Sequence, residues 1–337
     1  MAKLRVGVIG VGHLGKHHAR TYAQLPQVEL AGVNDLAPEK AKQIAGEYVT
    51  KEFCTQSELL QEVQAVSIAT STSSHYEVAR QALERGVHVL IEKPLCSSYQ
   101  QAEELVNLAH KKNLILQVGH IERFNPAVLA LSQNLADVRP MFIEAHRLAA
   151  FTERGTDVAV VLDLMTHDLD LITSWVDSEL VDIQAAGISV VTDSDDIANA
   201  RLTFANGCVA NITASRVSAK PMRKIRLFQK ELYASLDLAE KSLELYRLMT
   251  AEQLSNRQSP SPSPKFQLPV EKLGKTIVYE KPEVKNQDML TLQLSAFVES
   301  VQTGSRPLVD GEQGAKVVKI ATQIEEQIRT QRAKVRL

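Results

Sequence analysis

The stretch KLRVGVIGVGHLGKHHAR, Lys3 to Arg20, decides the fold. An apolar β-type run (Leu4, Val6, Val8, Ile9) leads straight into Gly10-x-Gly12-x-x-Gly15, and a helix-forming segment follows. The three glycines have separate tasks. Gly10 permits the tight strand-to-helix turn, Gly12 lets backbone approach a pyrophosphate, and Gly15 lets helix and sheet pack closely. Free N–H groups and the positive dipole end of the helix then hold the phosphates. The turn reads as a dinucleotide site, with His13 and Leu14 as further contacts inside it.

A second apolar run, Val28 to Val33, ends in Asn34-Asp35, twenty residues past Gly15. A carboxylate at the tip of the second strand accepts hydrogen bonds from the adenosine ribose hydroxyls and repels a 2′-phosphate. Asp35 therefore favours NAD over NADP, and no arginine follows it closely. The alternative is that Asp35 merely starts a turn and caps the next helix, since Pro38-Glu39-Lys40 follows.

Outward from this point, residues 1–120 alternate strand and helix. Strand runs fall at Leu4–Ile9, Glu29–Val33, Ala65–Ala69, His88–Ile91 and Ile115–Val118, with helical segments such as His75–Arg85 and Ser98–Lys111 between them. Ser57 and Ser98 read as helix starts. Alternation of this kind implies a doubly wound parallel sheet, the Rossmann arrangement of an α/β protein. From about residue 140 the strands follow one another: Met141–Leu148, Val181–Val191, Ile197–Phe204, Cys208–Arg216, Lys224–Gln229, Tyr233–Leu238, Leu243–Leu248 and Lys275–Val284. Asn206-Gly207 between two of them is a hairpin signal. This half reads as an α+β domain with a large, mostly antiparallel sheet, interrupted by a helix over Ala159–Val176. The Ser/Pro tract 256–264 reads as an exposed loop, and Gln287–Gln302 and Gly314–Thr330 read as helices. The expected division is a dinucleotide-binding domain over 1–120, a substrate and oligomerisation domain over 121–310, and a C-terminal helix over 311–337 that packs back on the first.

Composition narrows the partners. A net charge of −2 with both signs interspersed gives no electrostatic footprint for nucleic acid. No apolar run approaches a membrane span, and no signal-peptide pattern stands at the N-terminus. Three widely spaced cysteines, Cys54, Cys96 and Cys208, suggest reduced thiols in a cytoplasmic protein and lack metal-ligand spacing.

Two further places could carry chemistry. Glu92-Lys93-Pro94 lies at the C-terminal end of a parallel strand, where open α/β sheets bind ligands. A lysine held there can ease deprotonation of a substrate hydroxyl, and Glu92 could reach a ribose hydroxyl. A surface ion pair is the plainer alternative. Asp163, His167 and Asp170, spaced by four and three, share one face of a strongly apolar helix. A histidine base with a carboxylate that steadies its charged form explains them. A metal pair and a simple polar face remain open, although no further ligands have suggestive spacing. His17, His18, His75, His88 and His110 read as structural, and Cys96 as a packed residue.

Together, GVIGVGHLG, the Glu92–Leu95 EKPL and the Asp163-x-x-x-His167-x-x-Asp170 helix resemble the Gfo/Idh/MocA oxidoreductase family over essentially the whole chain. The resemblance implies NAD- or NADP-dependent oxidation or reduction of a secondary alcohol, usually on a sugar. It implies Lys93 as catalytic lysine, His167 as acid/base, Asp163 as its partner, and Glu92 near the nicotinamide ribose. Thr70 joins the expected cofactor contacts. Ser71 departs from the Ala-Thr-Pro often found there, which implies a looser loop over the cofactor. The segments 119–126, 154–158 and 195–201 resemble a branch that oxidises the 3-hydroxyl of UDP-N-acetylglucosamine on the way to the 3-amino sugars of lipid A. That likeness implies a sugar-nucleotide substrate with His120, Arg123, Asn125, Arg147, Arg154 and Thr156 near it, the arginines supplying charge to a diphosphate; a surface or structural role is the alternative for each arginine. It also implies a homodimer or homotetramer through the open sheet face. A free polyol or inositol as substrate, and a non-catalytic dinucleotide-binding regulator, are the competing readings. The retention of Lys93, Asp163 and His167 together speaks against the regulator.

Overall fold

The computed structural model describes residues 3–135, 137–152, 158–256 and 266–334. The chain divides into two compact units, one of residues 1–121 with 288–319, the other of residues 122–287 with 320–337.

In the first unit, the elements run β1 (Leu4–Ile9), α1 (Gly15–Gln24), β2 (Val28–Asn34), α2 (Pro38–Glu47), β3 (Lys51–Glu52), α3 (Gln56–Glu62), β4 (Ala65–Ile68), α4 (Thr72–Glu84), β5 (His88–Glu92), α5 (Tyr99–Lys112) and β6 (Leu116–Gly119). All pairings are parallel, in the order β3-β2-β1-β4-β5-β6. Strand order reverses between β1 and β4, which opens a crevice at their carboxyl ends. Helices on both faces explain why β1, β4 and β5 are near-continuous apolar runs. Val6, Val8, Ile68 and Ile91 are each 3% exposed or less, and burying such side chains stabilises by roughly 1.5–3 kcal/mol apiece. Ser98 accepts a hydrogen bond from the Gln101 N–H, as its position in the sequence suggested. The start at Ser57 is corrected: Thr55, two residues earlier, forms the capping box with Glu58.

In the second unit come α6 (Pro126–Asn134), β7 (Phe142–Leu148), α7 (Thr166–Trp175), β8 (Leu180–Ile188), β9 (Ile197–Phe204), β10 (Val209–Ser215), β11 (Met222–Gln229), β12 (Leu232–Asp237), β13 (Ser242–Thr250), α8 (Ala251–Ser255), β14 (Phe266–Val270) and β15 (Lys275–Glu280). The chain then supplies α9 (Met289–Thr303) to the first unit and α10 (Gly311–Lys334), which begins in the first unit and ends in the second. The nine-stranded sheet has the order β14-β15-β13-β12-β11-β7-β10-β9-β8. Only β7 and β10 pair in parallel; the other neighbours are antiparallel. Asn206-Gly207 makes the β9–β10 hairpin, with Gly207 at φ +86. β14 was not foreseen, because Pro269 inside it argues against a strand. It lies at the edge of the sheet, where proline is tolerated. Most of the Ser/Pro tract falls outside the described residues.

The two faces of this sheet differ. Along β7, Ile143, Ala145 and Arg147 are buried and the alternate residues are only partly covered. On the partly covered face an aromatic row crosses six neighbouring strands. Phe142, Phe228, Tyr233, Tyr246, Tyr279 and Phe266 stand directly opposite one another in register. Successive ring centroids from Phe142 to Tyr279 are 4.8–5.9 Å apart.

The helix expected over Ala159–Val176 is made of two pieces. Val161–Met165 is a π-helical turn and α7 follows directly. The wider turn carries Asp163, while His167 and Asp170 stand on regular α-helix, so the spacing of four from Asp163 to His167 is not a plain α-helical step. Turns of this kind are frequent at functional sites.

Candidate functional site

In the first unit the glycine turn separates into what the fold needs and what it leaves open. Gly10 has φ +82, and a Cβ there would lie 2.8 Å from the Ala69 carbonyl oxygen. A Cβ on Gly15 would lie 1.7 Å from the Gly10 carbonyl oxygen. A Cβ on Gly12 would meet nothing within 4 Å. No contact among the described residues requires glycine at position 12, so the turn keeps room open that a closely lying pyrophosphate could fill. No side chain caps α1 and its first turn has no acid, so the positive end of its dipole faces an anion unopposed, while Lys16, His17 and His18 give their N–H groups to the Gly12 and Leu14 carbonyl oxygens. His13 is exposed beside the turn and Leu14 is 47% exposed.

Asp35 does two things. Its Oδ2 accepts the Val11 N–H at 2.8 Å and closes the glycine turn. Its Oδ1 accepts the Ala37 N–H at 2.8 Å and opens the turn into α2. Each carboxylate oxygen keeps a second lone pair, so a turn-forming and a ribose-binding role are compatible. The residues present fit a dinucleotide.

Glu92 ends β5 and is 8% exposed. Its Oε1 lies 3.1 Å from His18 Nε2. A Cβ on the neighbouring Gly119 would come within 2.7 Å of Glu92 Oε1, so Gly119 makes the room that the carboxylate fills. Burial opposes the charge on Glu92, yet His18, then Lys93 and His75, outweigh it and hold the carboxyl below its usual range. Lys93 is half-buried and the Thr70 side chain half-exposed. Ser71 does not stand alone in place of proline. Ser74 Oγ lies 2.9 Å from the Ser71 carbonyl oxygen and 2.8 Å from Thr70 Oγ1, its one O–H shared between them. Cys96 is fully buried, and burial pushes its thiol up to about 12, as fits a packed residue. His120, just after β6, is 1% exposed.

In the second unit a buried ionic cluster lies beneath α7. Arg147 places Nε and Nη2 on the two oxygens of Asp168, at 3.0 and 2.9 Å, and Nη1 on Glu122 Oε1 at 3.0 Å. Burial opposes the guanidinium charge, but Asp168 and Glu122 overcome it and hold the group protonated. Asn125 donates to Glu122 Oε2 at 2.9 Å and to the Leu238 carbonyl oxygen at 3.0 Å, and caps α6 through Ala127. Arg147 is 3% and Asn125 1% exposed. The structure thus places these two expected substrate contacts inside the core, with their polar atoms engaged by protein partners. Arg123 lies 3.7 Å from Asp170, whose side chain is fully buried. His167 and Asp163 are partly exposed. Arg154 and Thr156 lie outside the described residues.

Sequence reasoning missed Arg223. It faces Arg147 directly across β7 and β11, on the same side of the sheet, but is exposed. Its charge acts on Asp168, the residue that follows His167. The signal was the alternation Arg223, Ile225, Leu227, which the expected strand start at Lys224 cut off. Among the described residues no group of three or more His, Cys, Asp or Glu is placed to hold a metal ion, and no helix is long and apolar enough to cross a membrane.

Comparison with known proteins agrees with this geometry. Residues 4–120 match the family model of an oxidoreductase family with an NAD-binding Rossmann fold, and residues 136–231 match the GFO/IDH/MocA C-terminal domain. The chain is 45% identical over 246 residues to UDP-N-acetylglucosamine 3-dehydrogenase of Acidithiobacillus ferrooxidans, covering 73% of this chain and 78% of that one. A solved structure of that enzyme, GnnA, superposes with a TM-score of 0.86 at 37% identity, covering 98% and 99% of the two chains. An NAD-binding protein from Listeria innocua superposes with a TM-score of 0.78 at 22% identity over 98% and 96%, a likeness of fold.

Proposed function

Because the chain belongs to the Gfo/Idh/MocA oxidoreductase family, with its NAD-binding Rossmann domain, we propose that it oxidises the 3-hydroxyl of UDP-N-acetylglucosamine with NAD. The product is a 3-keto sugar nucleotide, ready for conversion to a 3-amino sugar of the kind used in lipid A. The observation that carries this reading is the 45% identity over most of both chains.

Gly10, Gly12, Gly15 and the N-terminus of α1, with His13 and Leu14, hold the pyrophosphate. Asp35 takes the adenosine ribose and sets the preference for NAD, while Thr70, Glu92 and Lys93 serve the nicotinamide end. NAD held by these residues would supply the acceptor for the hydride that leaves the carbinol carbon. His167 takes the hydroxyl proton and Asp163 steadies the imidazolium. Lys93 places a compact positive charge against the developing alkoxide. Arg123 and Arg154 supply charge to the diphosphate, and Arg223 joins them. Its exposure beside the His167 helix supports the assignment, as does the neutralisation of Arg147 by two carboxylates. Binding energy from a diphosphate remote from the reacting carbon orients the sugar.

A second copy of the chain covers the aromatic row of the nine-stranded sheet. Half-buried aromatics in one continuous row are the composition of an interface core. Sedimentation velocity should give a dimer or tetramer, and Tyr233→Asp should lower that state. A monomeric unmodified protein would end this part of the reading.

The decisive assay is NADH formation with UDP-N-acetylglucosamine in the presence of a carbonyl trap or an aminotransferase, which pulls an unfavourable oxidation. Product is expected there and not with inositol or free hexoses. No product under trapping, together with ready oxidation of a free polyol, would replace the sugar nucleotide.

A further inference from the structure

His75 is a buried ionisable group of the first unit to which the proposed chemistry gives no role. It stands in the first turn of α4 and is 1% exposed. Its Nδ1 lies 2.9 Å from the Pro94 carbonyl oxygen and its Nε2 3.2 Å from the Thr70 carbonyl oxygen. One ring thus spans two loops that leave the carboxyl ends of the adjacent strands β4 and β5. The first loop packs on the glycine turn, since Ala69 and Thr70 are the neighbours that a Cβ on Gly10 would strike. The second loop carries Lys93.

A histidine that only filled space would not need both nitrogens on carbonyl oxygens. Both carbonyls accept and neither donates. Burial, the largest influence, lowers the pKa of this ring, although the Pro94 and Thr70 carbonyls and the Glu92 charge act the other way. The ring is therefore mainly neutral at neutral pH and has one N–H to give. The shorter contact assigns that N–H to Nδ1 and its acceptor to Pro94. The bond fixes the backbone one residue beyond Lys93, at the point where the chain leaves β5.

We propose that His75 is a positioning residue for Lys93: its Nδ1–H holds the Pro94 carbonyl and so sets where the Lys93 ammonium stands. The catalytic role of Lys93 rests on the function proposed above, whereas the tie from His75 to the Lys93 loop does not. Misplacing a catalytic group by about 1 Å can cost on the order of a hundredfold in rate, so the tie matters without touching substrate.

Asparagine and glutamine separate the two contacts, because the Asn amide nitrogen falls where Nδ1 is and the Gln amide nitrogen where Nε2 is. The first measurement needs no substrate. The lysines are reductively methylated with ¹³C-formaldehyde, and the Lys93 resonance is assigned by its loss in Lys93→Arg. Its shift should be kept in His75→Asn and moved in His75→Gln. The second uses turnover of UDP-N-acetylglucosamine. The kcat of His75→Gln should fall at least tenfold, with NAD affinity within about threefold, while His75→Asn stays near the unmodified enzyme. The third uses the unmodified protein: ¹⁵N-histidine spectra should show the His75 proton on Nδ1. An Nε2–H tautomer, a Lys93 resonance that responds equally to both variants or to neither, or equal kcat in both would overturn the proposal. If the unmodified protein does not turn over UDP-N-acetylglucosamine, the substrate assignment fails, while the Lys93 and ¹⁵N spectra still decide the role of His75.

Discussion

The two units hold their functional groups by opposite means. In the first, the site is made of backbone: a turn whose glycines leave room, a helix end without a cap, and carboxylates placed against N–H groups and a buried ring. In the second, the support beneath α7 is made of charge. Arg147, Asp168, Glu122 and Asn125 satisfy one another in the core, and the exposed groups stand on top of them. A turn built on glycines fails when an atom is added. A charge-built support is the reverse, because removing one partner leaves another buried and uncompensated.

The largest effect should come from breaking the charge cluster. Arg147→Ala strands Asp168 and Glu122 and is expected to cost about 3–5 kcal/mol of stability, read by chemical denaturation. Arg223→Ala, directly across the strand pair, should leave stability nearly unchanged and raise KM for the sugar nucleotide. Equal destabilisation by both would mean that Arg223 belongs to the same cluster. Next in size are the groups assigned to chemistry. Lys93→Ala and His167→Ala should each lower turnover by about a hundredfold while NAD still binds, as followed by NADH fluorescence. Near-normal turnover in both would remove the catalytic assignment.

The glycine turn should respond to addition. Gly15→Ala must push against the Gly10 carbonyl and should cost about 1–3 kcal/mol or more. Gly12→Val should keep the melting temperature and lose NAD affinity, and a variant that melts early yet binds NAD normally would reverse the roles of the two glycines. Asp35→Ala should weaken NAD binding and narrow its margin over NADP, by isothermal titration with each cofactor. NADP binding tighter than NAD in the unmodified protein would sink that reading.

The smallest effect concerns pH. Burial, and then the Asp195 charge, push the Glu325 carboxyl up to about 7 against the pull of Arg329. The folded state therefore keeps this proton to higher pH than the unfolded chain does. Its ionisation costs stability as pH rises from the usual carboxylate range through 7. Glu325→Gln should raise the melting temperature at pH 8 and not at pH 4, with a gain of about 1 kcal/mol or less after solvent screening.

What the sequence made legible follows the same division. The glycine turn, Asp35 and the strand that ends in Glu92 are local patterns, and the parallel sheet follows from their alternation. Arg147 was left between a substrate contact and a structural residue, although its strand carried the information about its burial. In Phe142-Ile143-Glu144-Ala145-His146-Arg147-Leu148 the period of two puts Arg147 on the same face as Ile143 and Ala145. That face is buried, so a paired arginine was the reading to prefer. Its partners come from 21 and 25 residues away, and no local pattern names them. The π-helical turn at Val161–Met165 was also illegible, because its residues suit an α-helix equally well. His75 gave no signal beyond its place in a first helical turn, since its two acceptors are main-chain oxygens that any residue could supply.

The contrast between Gly12 and Gly15 has an evolutionary consequence. Gly15 is kept by the fold, since the Gly10 carbonyl would obstruct any side chain there. A Cβ on Gly12 would meet nothing within 4 Å among the described residues, so under the proposed function the demand for glycine there comes from a molecule the gene does not encode. A descendant that abandoned the cofactor, whatever else it came to do, would be free to let Gly12 drift while Gly15 stayed. The pair would then date the loss of the old activity within an otherwise unchanged fold.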